Sequence, residues 1–466
     1  MSKLDNQTDV VLKSADATLD AATERWFALL RIPSVSAQPA HAADCARAAE
    51  WARGQLSEIG FRAAVRATAG HPCVVAHHPG PGENGPHLLY YGHYDVQPPE
   101  PLELWASPPF EPTIVDGPRG KRVVARGAVD DKGQVSTWLA AFRAWHAVTG
   151  SLPVRVSVLL EGEEEVGSPS LEPFLIANRR ELAADVAVIS DTGMWDIDTP
   201  AITTRLRGLV YVQVTLKGPE RDLHSGMYGG SALNPINALT RILGDLHDPQ
   251  GRIQVPGFYD QVRAVSPEQA RQWAALGFDE AAFLGGIGLS HPAGEAGVSP
   301  LERLWARPTA DINGIWGGYT GAGAKTVIAT EAHAKLSFRL VPDQDPQAVL
   351  DGFKRFVAER LPADARVAYE VFGLAPAIDV PTDSSWVRGA RAALAEEFGR
   401  EPLLMGCGSS IPVVDSLRRV LGMDSLLVGF GLDDDQPHSP GEKFELRSFQ
   451  RGIRSHIRML AKLADL

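Results

Sequence analysis

Residues 154–168 read VRVSVLLEGEEEVGS. The opening run is mostly Val and Leu, the composition of a strand buried on both faces, as in a parallel sheet covered by helices. Glu161, Glu163, Glu164 and Glu165 follow at once. Carboxylates crowded in this way at a strand end repel one another unless solvent or cations compensate. A solvated charge run is one reading and a cation site is the other. Open α/β sheets place their chemistry at the carboxyl ends of their strands, which favours the second.

Four further segments carry side chains of the same kind: YYGHYDVQP (90–98), RGAVDDKGQ (126–134), VISDTG (188–193) and DQPHSPGEK (435–443). Apolar runs at 73–77, 88–91, 186–189 and 426–431 read as strands, most of them leading into these segments. His93 and Asp95 lie two apart, so in an extended chain they point to one side. A histidine can then bind a metal while a carboxylate orients it. Asp130 and Asp131 stand at the entry to a helix, where N-capping is the alternative role. Asp191 taken alone reads as a turn residue, and His438 as an ordinary loop histidine. All five segments together point to one assembled pocket. Two histidines and several carboxylates without a nearby cysteine suit zinc, manganese or cobalt. A bridging carboxylate can hold two such ions roughly 3.5–4 Å apart with a hydroxide between them. A neighbouring glutamate that is not a ligand can then move the water's proton to a leaving amine.

Outward from these segments, apolar stripes at helical spacing mark helices at 16–31, 42–59 and after Gly133, where Val135, Trp138, Leu139, Phe142 and Trp145 share a face. Near Gly208 the period changes. Val210, Val212, Val214 and Leu216 alternate with Tyr211, Gln213 and Thr215, the pattern of a half-exposed strand. The alternation returns at 332–340 and 367–371, with amphipathic helices at 234–246 and 347–361. The α/β rhythm resumes after Pro381. The expected fold is therefore α/β: a mostly parallel, helix-covered catalytic domain (1–207 and 384–466) interrupted by an α+β, ferredoxin-like lid and dimerisation domain (208–383). Residues 249–325 follow neither pattern.

A formal net charge of −12 argues against nucleic acid as a partner, since binding it needs a basic face. Three cysteines with no CxxC pair fit a reducing compartment. The polar start MSKLDNQTDV and the lack of a long apolar run predict a cytoplasmic protein with no membrane partner.

The five segments, in this order, resemble the dinuclear metallopeptidase family of carnosine dipeptidases, aminoacylases and succinyl-diaminopimelate desuccinylases. The stretches GHYDVQPPEPLELWASPPFEP from Gly92 and GAKTVIATEAHAKLSFRLVP from Gly323 look like its dipeptidase branch. The resemblance implies two divalent ions per subunit, Zn²⁺ first with Mn²⁺ or Co²⁺ as alternatives. Asp130 would bridge them, with His93 and Asp191 completing one site and Glu165 and His438 the other. Glu164 would be the general base, supported by Asp95, and the peptide after Asp130 would be cis. His224 would stabilise the oxyanion, reaching with Thr326 into the partner's site of a homodimer. Arg339 and Ser410 would contact the substrate carboxylate.

Two departures fall on the substrate side. Phe372-Gly373-Leu374 stands where carnosine dipeptidases carry a histidine before Gly-Gly, and Gly406-Cys407-Gly408-Ser409 where they carry Arg-Glu-Gly-Gly. The expected activity is hydrolysis of short peptides. The alternatives are an N-acyl-amino-acid deacylase of the same mechanism and a metal-binding or scaffold protein without catalysis.

Overall fold

The structure, a computed structural model, describes residues 3–82, 85–408 and 411–466. It divides into two compact units. The first comprises Met1–Thr204, Val380–Met405 and Pro412–Leu466, and the second Arg205–Asp379 and Gly406–Ile411.

In the first unit the strand Arg155–Glu161 is buried along nearly its whole length. It pairs in parallel with His87–His93, which pairs in parallel with Val186–Ile189, and that strand in turn with Ser425–Leu427. Parallel register brings the carboxyl ends of these strands to one edge, with His93 opposite Glu161 and Tyr91 opposite Ile189. The expected mostly parallel sheet is present, and pairing at its flanks is antiparallel: Arg62–Arg66 with Cys73–His78, Cys73–His78 with Arg155–Glu161, and Ala201–Leu206 with Ser425–Leu427. Helix Lys132–Thr149 buries the stripe from Val135 to Trp145. It stops at Gly150, whose φ of 73° suits only a residue without a Cβ penalty and whose N–H donates to the His146 carbonyl at 2.8 Å. Trp138 of this helix stacks on His456 of helix Leu446–Ala464, with centroids 3.9 Å apart, and donates to Ser190 Oγ at 2.7 Å. A small antiparallel sheet of Thr113–Gly117, Gly120–Val124 and Lys443–Glu445 was not expected from the sequence. It ties the strand just after His438 to the one that leads into the Asp130 segment. No described helix is long and apolar enough to cross a membrane.

The second unit is a four-stranded antiparallel sheet in the order Thr309–Gly317, Glu331–Leu340, Gly208–Lys217, Arg366–Ala375. Helices Pro235–Gly244 and Pro346–Ala358 complete a β-α-β-β-α-β succession, the ferredoxin-like arrangement. Each helix starts as sequence rules require, with proline in the first turn behind a capping Asn234 or Asp345 whose side chain accepts backbone N–H bonds. The core joins Val210, Val212, Val214, Leu336 and Phe338 to Leu239, Phe353 and Phe356.

The strand Thr309–Gly317 lay inside the stretch that sequence patterning left unparsed. It is an edge strand with Ala310 buried and most other positions exposed, and it bulges between Ile312 and Gly314. An edge exposed on both faces has no buried face to impose alternation.

Candidate active site

His93 ends a wholly buried strand and is itself buried. Its Nδ1 lies 3.1 Å from the Asp95 carbonyl and 3.4 Å from Asp95 Oδ1. A proton on Nδ1 satisfies those acceptors and leaves the Nε2 lone pair directed at the pocket. Nε2 sits 3.2 Å from Asp130 Oδ1 and 3.9 Å from Asp191 Oδ2, and no hydrogen-bond partner satisfies it.

His438 approaches from the other side. Its Nε2 is 2.9 Å from Asp130 Oδ2 and 3.2 Å from Glu165 Oε2. The residue holds a φ of 60°, unusual for a side chain with a Cβ and consistent with a loop fixed by its contacts. Two triads result, His93–Asp130–Asp191 and Asp130–Glu165–His438, each with candidate ligand atoms within 4.8 Å of one another and both sharing Asp130.

The glutamates after Arg155–Glu161 divide by their partners. Glu161 accepts from the Tyr91 and Ser168 hydroxyls. Glu163 accepts from the backbone N–H groups of His71 and Ser170. Both are occupied in holding the local chain. Glu165 belongs to the second triad, and Glu164 stands beside both triads without being part of either. Asp95 fixes this turn, its two carboxylate oxygens accepting the N–H of Glu164 at 3.3 Å and of Glu165 at 3.1 Å.

Burial pushes the Glu164 carboxyl well above the usual carboxylate range. His93 opposes that shift, while Asp191, Glu165 and Asp130 add to it. Burial, then Asp130, raises Asp191 to about 7. Burial would raise Asp130 too, but its bond to His438 and the nearness of His93 outweigh that and hold it low. Its bonds to Asp130 and to Glu165 lift His438 to about 10. A desolvated cluster of carboxylates with a buried, unsatisfied imidazole nitrogen is a site that cations relieve. Its oxygen and nitrogen donors, without sulfur, fit divalent zinc, manganese or cobalt.

The Asp130–Asp131 peptide is cis. Asp131 makes no side-chain cap to the helix that follows it; its Oδ2 instead accepts the His93 N–H at 3.1 Å. The capping alternative is therefore not the one adopted.

Three contributors were not singled out from the sequence. Gln97 donates to Glu165 Oε2 at 2.9 Å, and its place two residues beyond Asp95 was the available signal. Glu442, wholly buried, accepts the N–H groups of Gly127, Val129 and Asp130 at 2.9, 3.0 and 3.1 Å, and pairs with Arg126 Nη1 at 2.7 Å. Lys443 pairs with the buried Asp435 at 2.5 Å, tying down the loop that carries His438. Glu442→Gln should weaken metal affinity about 10–100-fold, because the amide turns donors toward the N–H groups that shape the Asp130 turn. Competition with a chromogenic chelator checks this, and unchanged affinity would show that the turn holds without the carboxylate.

In the second unit, His224 pairs with Val327 in a short ladder, and Ser225 N–H donates to the Thr326 carbonyl at 3.1 Å. His224 and Thr326 are thus neighbours, and both are exposed. His224 Nδ1 accepts from Gly226 N–H at 3.0 Å, which leaves the proton on Nε2 as an outward donor. Arg339 lies on the sheet face opposite the core, in register with Thr309 and Leu209. Ser410 lies outside the described residues.

The model of peptidase family M20/M25/M40 matches residues 89–462. The chain is 28% identical to the Cys-Gly metallodipeptidase dug1 of Schizosaccharomyces pombe over 480 residues, covering 98% of each. It is 32% identical to the Beta-Ala-His dipeptidase of Homo sapiens over 385 residues, 81% of this chain and 75% of that protein. The crystal structure of human carnosine dipeptidase 1 superposes with a TM-score of 0.85 at 28% identity, covering 98% of this chain and 99% of that one.

Proposed function

The chain belongs to peptidase family M20/M25/M40 and is a metallopeptidase, and on that premise we propose that it is a dipeptidase releasing amino acids from short unblocked peptides. The observation that carries this reading is the pair of triads sharing Asp130, with Glu164 beside them and in neither. His93, Asp130 and Asp191 would hold one ion, and Asp130, Glu165 and His438 the other, Zn²⁺ first with Mn²⁺ or Co²⁺ able to replace it. Bound there, two divalent ions supply a nucleophilic water at neutral pH and polarise the scissile carbonyl.

Glu164 accepts a proton from that water as its oxygen attacks the carbonyl carbon, and delivers it to the amine nitrogen as the C–N bond breaks. Asp95 positions Glu164 and Glu165 through their backbone N–H groups. His224 would donate from Nε2 to the developing oxyanion. In this reading the chain works as a homodimer in the cytoplasm, with His224 and Thr326 serving the partner's site.

Arg339 would bind the substrate carboxylate through its planar fork. Arg339→Met should raise KM for free dipeptides about tenfold or more, with a much smaller effect on the matching dipeptide amides; equal effects on both would remove the carboxylate from its role. Comparing free dipeptides with N-acetyl and N-succinyl amino acids tests the activity itself. Turnover confined to the acylated amino acids would replace the dipeptidase reading with a deacylase.

A further inference from the structure

Asp191 completes one of the two triads and stands in a turn directly after the strand Val186–Ile189, between Ser190 and Thr192. Both neighbours are held by buried side chains that belong to neither triad. Ser190 Oγ accepts the indole N–H of Trp138 at 2.7 Å and lies 3.3 Å from His456 Nε2. Across the imidazole, His456 Nδ1 lies 3.2 Å from Thr137 Oγ1, which donates to the Gln134 carbonyl at 2.6 Å.

The two ends of this chain fix its direction, because an indole N–H can only donate and a carbonyl can only accept. Ser190 must therefore donate to His456 Nε2, and His456 Nδ1–H to Thr137. Only a neutral imidazole fits, and burial holds His456 well below the usual histidine range. Trp138, Thr137, His456 and Ser190 are each at most 1% exposed, so solvent does not compete for these bonds.

Gln134 secures the other neighbour. Its Nε2 donates to the Thr192 carbonyl at 3.3 Å, and its Oε1 accepts the Phe430 N–H at 2.8 Å. The amide thus clamps the Asp191 turn to the segment after the strand Ser425–Leu427. Gly429 makes that approach possible: a Cβ there would come within 2.1 Å of the Thr192 carbonyl oxygen and 2.3 Å of that of Ser190. Phe430 also packs its ring against His456, with centroids 5.2 Å apart.

We propose that Ser190, His456 and Gln134 are positioning residues for Asp191, and that they set the affinity of the ion in the His93–Asp130–Asp191 triad without setting that of the other ion. This role rests on the two-ion reading of the site and adds to it a support that serves one ion alone. The other triad is supported elsewhere, by Gln97 on Glu165 and by the Lys443–Asp435 pair at the base of the His438 loop.

The test measures Zn²⁺ affinity of the stripped, full-length protein in competition with a chromogenic chelator. Ser190→Ala should weaken one ion about 10–100-fold and leave the other within about twofold of wild type. His456→Phe keeps a ring against Trp138 but offers Ser190 no acceptor, and should weaken the same ion. His456→Gln, whose amide oxygen can take the place of Nε2, should recover most of that loss. Ser190→Ala should cost nothing further in an Asp191→Ala background and its full factor in a His438→Ala background. Ile457→Val, a small core loss beside the network, should lower the unfolding temperature of the metal-free protein with both affinities unchanged. The positioning role would be overturned by unchanged affinity in both Ser190→Ala and His456→Phe, by equal weakening of the two ions, or by additive losses with Asp191→Ala. It would equally fall if His456→Gln did no better than His456→Phe, or if Ile457→Val weakened an ion as Ser190→Ala does. Wild type that binds fewer than two ions would instead overturn the two-ion reading itself.

Discussion

Glu164→Gln should lower kcat for dipeptide hydrolysis by about 10²–10⁴-fold while two divalent ions per chain remain bound. The substitution keeps the shape of the side chain and removes its ability to carry a proton. Glu164 lies outside both triads, so the ions do not depend on it. Its place beside them comes from Asp95, which holds the backbone of the Glu164–Glu165 turn and is untouched by the change. Steady-state kinetics paired with elemental analysis separates the outcomes. Loss of one ion along with activity would make Glu164 a ligand, and retained turnover would move the proton transfer elsewhere. Glu163→Gln is the matching control: its carboxylate serves the N–H groups of His71 and Ser170, so the loss expected there is in stability.

Asp130→Ala should abolish measurable activity and weaken both ion sites together. Asp130 is the one residue common to the two triads, with Oδ1 toward His93 and Oδ2 toward His438. Removing it leaves two imidazoles and several carboxylates without the group between them. Asp191→Ala and His438→Ala each touch one triad and should each weaken one ion. Calorimetric titration with Zn²⁺ distinguishes the patterns: a single lost site in Asp130→Ala would mean that the two ions do not share this carboxylate.

The sequence shows the strand ends clearly because strands buried on both faces leave uninterrupted Val and Leu runs, and the acidic and histidine residues follow directly. It does not show strand direction. Apolar periodicity is the same for Cys73–His78, which runs antiparallel, and for His87–His93, which runs parallel. In the second unit, alternation reveals strands with one buried face and misses Thr309–Gly317, which has almost none.

At the site, the choice of Glu164 and Glu165 over Glu161 and Glu163 came from likeness to a family. The structure adds a physical distinction, since the latter two are occupied by Tyr91, Ser168, His71 and Ser170. Glu442 escaped notice because its role is to accept backbone N–H groups more than 300 residues earlier in the chain, a relation no local pattern encodes.

The most direct test of the two-triad centre is a metal titration of chelator-stripped protein with dipeptide turnover read at each point. Two equivalents of divalent ion should bind per chain, the stripped protein should show no turnover, and activity should recover as the ions return. Saturation of both binding and turnover at one equivalent, or dipeptide hydrolysis that persists without metal, would contradict it.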